Sequence, residues 1–207
     1  MKERPIIFSA PMVRAILAGR KFQTRRVVKP KVVARAIMYG VMSGGPGPGF
    51  DLGSCPYGQP GDTLYVKETF QPLWTDADKP RDWKTGNGFH VNYPATDGVT
   101  EWHDENRGLV TTCMPSIFMP RWASRITLEV TGIRVEKLQD ISEEDAKAEG
   151  MTLRNPRDIS GDHGNAGYLI SEFMGLWESI NGPGSWDANP WVWIVEFRRV
   201  EAKSEAA

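Results

Sequence analysis

The sequence predicts an α+β domain, a small β-barrel with helices packed on it. Three observations carry this: alternating apolar and polar stretches of strand length, short amphipathic helices between them in no repeating βα order, and no internal repeat. At 207 residues the chain is long for one domain and short for two, and it is read as one domain over residues 1–207, interrupted by insertions at 40–60 and 71–120.

The first element is a helix. Ser9 ahead of Pro11 supplies a capping hydroxyl and a first-turn proline. Met12, Val13, Ile16 and Leu17 share one face, and Gly19 ends the helix. Thr24 to Val28, rich in β-branched and long side chains, reads as a strand stopping before Pro30. From Gly40 to Gly61 glycine and proline are too dense for a regular element to persist. Thr63 to Phe70 alternates, with Leu64, Val66, Glu68 and Phe70 on one face and Tyr65 on the other. Gln71 to Pro120 shows too little periodicity for more than one hairpin. A long bent strand follows from Ser124, with Gly132 permitting a bulge before Ile133 and Val135. Ile141, Ser142, Asp145 and Ala146 open a short helix running from about Glu143 to Glu149 and ending at Gly150. Leu169, Phe173, Leu176, Trp177 and Ile180 form the stripe of a longer helix closed by Gly182, and Trp191 to Val200 is the last strand.

Net charge is −1, so bulk electrostatics announce neither a nucleic-acid nor a membrane partner. Its distribution is uneven. Between Arg4 and Phe50 there are nine Lys or Arg residues and no acid, an asymmetry suited to a polyanion or to pairing with acids elsewhere in the fold. Cys55 and Cys113 stand far apart and in no ligand spacing, which argues against a disulfide framework and fits a reducing, cytoplasmic setting. No apolar run approaches membrane-spanning length. His90, His103 and His163 lack metal-ligand spacing, so neither a metal nor another cofactor is expected.

Gly19 to Arg26 joins a helix end to a strand start, where functional side chains are commonly displayed on a rigid scaffold. Thr24 becomes a nucleophile only if a base takes its proton. Lys21 serves as that base only if burial or neighbouring cations such as Arg20, Arg25 and Arg26 depress its proton affinity. The alternative is a solvated amine near a helix C-terminus. Glu68, on an apolar face, is either an acid, a partner for an arginine, or an edge residue reaching solvent. Glu149 sits at a helix end where the backbone dipole disfavours a carboxylate.

Gly19-Arg20-Lys21 with Thr24 and Arg26, then Gly61-Asp62-Thr63-Leu64, Pro120 to Arg125 and Trp177 to Gly182, resemble the ASCH family, relatives of PUA domains, and most of all its long phage and prophage members. The resemblance implies a PUA-like barrel. A compact bacterial member of that family removes the acyl group from N4-acetylcytidine and related N4-acylcytosines with a Lys, a Thr and a Glu. Carried onto this chain, the pattern falls on Lys21 as base, Thr24 as nucleophile and Glu149, two positions before Met151-Thr152-Leu153, as proton shuttle. Arg26, Arg20, Glu68 and Tyr65 are then candidates for holding a nucleobase or nucleoside substrate. The rival functions are a non-catalytic module binding RNA or a modified base, and a ribonuclease.

The resemblance and the helix-end position together lead to one geometric expectation. The Glu149 carboxylate should lie within hydrogen-bond reach of Lys21 or Thr24.

Overall fold

The computed structural model describes residues 1–42, 48–74, 82, 84–104, 108–152 and 167–200. It is an α+β fold built on a five-stranded sheet. The strands are β1 (Glu3–Ile7), β2 (Gln23–Val27), β3 (Thr63–Lys67), β8 (Thr127–Lys137) and β9 (Trp191–Val200), in the spatial order β1-β3-β8-β9-β2. Only β1 and β3 run parallel; the other neighbours are antiparallel. β1 tolerates Pro5 because it is an edge strand, whose outer face needs no amide donor. The two edges, β1 and β2, are not hydrogen-bonded as a ladder. The sheet curls until they face each other, and the Arg26 guanidinium spans the gap to the Ile7 carbonyl at 2.8 Å.

β9 shows why the helices lie where they do. Trp193, Val195 and Phe197 point into the curled sheet, where they pack with Ile6, Phe8, Leu64, Leu128 and Val130. Val192 and Ile194 point the other way, onto Phe173 and Trp177 of α5 (Tyr168–Asn181) and Ala146 of α4 (Glu143–Ala148). The period of two thus divides one strand between two cores. β8 carries the bulge at the expected place, with its register against β9 shifting between Val130 and Gly132.

Several elements depart from the sequence reading. The Ser9 side chain makes no cap to α1 (Ala10–Leu17), although Pro11 does stand in the first turn. A helix, α2 (Pro30–Met42), follows β2; Pro30 that stops the strand also starts the helix, a position where its missing N–H costs nothing. Between 48 and 60 the only regular piece is a turn of 3-10 helix, Leu52–Ser54, capped by Asp51. Residues 71–120 hold two small hairpins rather than one, β4 (Gln71–Trp74) with β5 (Phe89–Asn92) and β6 (Trp102–Asp104) with β7 (Gly108–Val110), together with the short helix α3 (Pro94–Asp97). Among the described residues no helix is long and apolar enough to cross a membrane.

Candidate active site

Gly19 ends α1 with a φ of +67°, a conformation natural to glycine, and turns the chain so that Lys21 points inward. The amides of Arg20 and Lys21 are both satisfied by the Ala15 carbonyl, and Phe22 donates to Ala148 at the end of α4. This last bond lays the loop against α4. Gly150 makes the approach possible: its φ is +94°, and a Cβ there would stand 3.0 Å from the Ala15 Cβ and 3.1 Å from the Lys21 Cβ.

Lys21 is only 2% exposed, and its Nζ donates to both the Glu149 carbonyl at 2.9 Å and Glu149 Oε2 at 2.6 Å. The two residues are 128 positions apart in sequence. Burial pushes the Lys21 amine below its ordinary value; the attraction and hydrogen bond of Glu149 oppose this, while Arg26 and Arg25 reinforce it. The second carboxylate oxygen, Oε1, accepts from Arg25 Nη1 at 3.3 Å, and Arg25 Nη2 reaches Asp145 Oδ2 at 2.9 Å. Two cations therefore compensate a carboxylate that the end of α4 disfavours.

Thr24 is buried on β2 and forms part of the wall of a cavity of about 690 Å³. Its Oγ1 has no hydrogen-bond partner among the described residues, and neither has Nε1 of Trp177, another wall residue. No bond joins Lys21 to Thr24; the Lys21 amine is held by Glu149, which also borders the cavity. The remaining wall is largely apolar and aromatic, from Ile6 and Phe8 at the β1 edge to Phe173, Leu176 and Ile180 on α5, with Tyr57 and Arg26 adding polar ends. Arg26 lies over the Phe8 ring at 5.2 Å. Burial raises the Tyr57 hydroxyl above its ordinary value against the pull of Arg26, so at neutral pH it is an uncharged donor.

The other candidates lie elsewhere. Arg20 is exposed, reaches the Gly150 carbonyl at 3.4 Å and borders a second cavity of about 680 Å³. Glu68 is buried just beyond β3, and both its oxygens are taken by Arg125, at 3.0 and 3.1 Å. It does not border the larger cavity; of the roles considered for it, the structure shows the arginine partner. Tyr65 packs under Arg121, 5.3 Å from its ring centre, and is likewise away from that cavity. His90 is exposed on β5, whereas His163 and the side chain of His103 lie outside the described residues. Among the described residues no three His, Cys, Asp or Glu side chains are grouped to hold a metal ion.

Sequence reading did not single out Asp145 or give Arg25 a partner. A signal existed, since Asp145 and Glu149 are spaced i, i+4 and so share one face at the end of α4.

No family model matches the chain, and no curated protein does. Among solved structures it is similar to the ASCH domain from Lactobacillus crispatus, at 12% identity and a TM-score of 0.38, over 96% of this chain and 79% of that one. It is similar too to the Enterococcus faecalis protein EF3133, at 10% identity and a TM-score of 0.40, over 100% of this chain and 85% of that one.

Proposed function

We propose that this chain, taken as one ASCH-type domain over residues 1–207, is an amidohydrolase that removes the acyl group from N4-acylated cytosine or cytidine. The observation that carries the reading is the buried 2.6 Å contact between Lys21 and Glu149, beside a cavity into whose wall Thr24 brings an unpartnered hydroxyl. The motif that resembles the ASCH amidohydrolases supplies these residue types in these places.

In this reading the neutral Lys21 amine takes the Thr24 proton as Oγ1 attacks the amide carbonyl carbon. The proton passes across the Lys21–Glu149 contact, and Glu149 delivers it to the cytosine nitrogen as the C–N bond breaks. Cytosine or cytidine leaves, and the acyl group remains as an ester on Thr24. Water then hydrolyses that ester, releasing the carboxylic acid and restoring the hydroxyl. Lys21 and Thr24 are not in contact beforehand, as is common when catalytic hydrogen bonds tighten only around substrate. Phe8, Tyr57 and Trp177 give the cavity flat faces suited to a pyrimidine ring. Arg26 at its rim is placed to orient the base or to stabilise charge on the attacked carbonyl.

The test is incubation of the protein with N4-acetylcytidine and chromatographic detection of cytidine and acetate. Absence of cytidine sinks the proposal. Steeply salt-dependent RNA binding without hydrolysis would instead indicate a binding module, and shortening of a labelled RNA a ribonuclease.

A further inference from the structure

Beyond Lys21, Thr24 and Glu149, buried and half-buried charges of the described residues gather around Arg25. Its Nη1 serves Glu149, and its Nη2 serves Asp145 at 2.9 Å with Glu136 more distant at 3.9 Å. The other oxygen of Asp145 accepts from Arg134 Nη2 at 2.8 Å. Arg134 also pairs with Glu136 and Glu196 and reaches Gln23 Oε1 at 3.4 Å. An unbroken line of charge-assisted bonds therefore runs from Arg134 through Asp145, Arg25 and Glu149 to Lys21.

Charge balance along this line has a definite sign. Of the five groups on the line, the four other than Arg134 balance when ionised, Lys21 and Arg25 against Glu149 and Asp145, while Arg134 also faces Glu136 and Glu196. Neutralising Asp145 leaves one excess positive charge on the remaining three, in a region where burial keeps solvent from screening it. That excess repels a proton from Lys21. Losing Arg134 does the opposite, because Asp145 then gives its whole charge to Arg25. Among the described residues, the other ionisable groups facing this set are Arg26, beside Lys21, Glu136, 3.9 Å from Arg25 and paired with Arg134, and Glu196, beside Arg134.

We propose that Asp145 is a positioning residue for the Lys21–Glu149 pair: by anchoring Arg25 and sharing its charge, it sets the pH at which Lys21 gives up its proton. The titration part stands on the geometry alone, and only its kinetic consequence rests on the proposed hydrolase reading. The lowered proton affinity of Asp145 agrees with it: burial works against the charge, and Arg25, Gln23 and Arg134 together outweigh burial.

The experiment follows the Lys21 side chain by NMR in the full chain carrying Asp145→Asn, with Lys21→Met to assign the resonance. The expected result is a downward shift of the Lys21 midpoint by about one unit, or about tenfold more neutral amine at a fixed pH below the midpoint. Asp145→Glu should return it toward the wild-type position, and Arg134→Gln should move it upward. If N4-acetylcytidine is hydrolysed, the acid limb of kcat/KM should follow in the same directions. An unchanged Lys21 midpoint in folded Asp145→Asn overturns the proposal, as does an Asp145→Glu protein that behaves like the Asn variant. Should Asp145→Asn not fold, an unmoved or lowered midpoint in Arg134→Gln overturns it. A shifting midpoint in a protein that releases no cytidine leaves this inference standing and removes the proposed activity.

Discussion

Lys21 and Arg25 both reach the same carboxylate, yet only the Lys21 amine, which burial pushes below its ordinary value, can release its proton, because a guanidinium stays charged. On the proposed amidohydrolase reading, Lys21→Arg should therefore keep an ion pair with Glu149 and lower hydrolysis of N4-acetylcytidine by about a hundredfold or more. Glu149→Gln should bind the nucleoside nearly as well as the wild type and turn it over at a similarly reduced rate, which separates KM from kcat. An active Lys21→Arg enzyme would take the base role from Lys21. At this scale the sequence was informative where chemistry is contiguous: Lys21 and Thr24 lie in one short loop-to-strand segment. Glu149 stands out locally as a carboxylate at a helix end, but its pairing with Lys21 across 128 positions needed the family resemblance. Asp145 was visible as part of a helix start, and its Ser142 cap is present, but nothing local says that its carboxylate reaches Arg25 across 120 positions.

The end of α4 is the element on which the site depends. Gly150 and Gly182 share a φ of +94°, but a Cβ at Gly182 would meet nothing within 4 Å, whereas one at Gly150 meets Ala15 and Lys21. Gly182→Ala should thus show backbone strain alone, and Gly150→Ala that strain plus a collision at the site. Denaturant unfolding should give a loss of about 1–3 kcal/mol for strain in either variant, with a larger total for Gly150→Ala. On the proposed reading, turnover of N4-acetylcytidine should fall only in Gly150→Ala. Equal stability losses together with equal turnover would mean that the loop yields to the added methyl. Helix and strand legibility followed length. β8, β9 and α5 show their periodicity and α4 its capped start, whereas the strands of three and four residues in the two hairpins are too short to display a period. α2 is not legible in the sequence because a proline after a strand signals its end, while the same residue also opens a helix.

For the whole molecule, the pairing of Glu68 with Arg125 ties the hairpin segment to the sheet. Arg125 leads into β8, Glu68 leaves β3, and the same guanidinium donates to Thr96 at 2.9 Å and lies 3.9 Å from the centre of the Tyr93 ring, both in the segment between. Arg125→Ala leaves the Glu68 carboxylate buried without its cation and should cost about 3 kcal/mol in urea unfolding. Converting both residues to methionine should cost less than the single change, because the unpaired charge disappears with its partner. A double variant weaker than Arg125→Ala would show that packing around Tyr93, and not charge, is what the pair supplies. The curl of the sheet has a separate consequence. A closed barrel takes its width from its strand number, tilt and shear. Here, among the described residues, the Arg26 side chain of β2 bridges the seam to β1 by donating to the Ile7 carbonyl. Loss of that side chain should therefore take away this cross-seam bond and leave every hydrogen-bonded rung of the sheet in place.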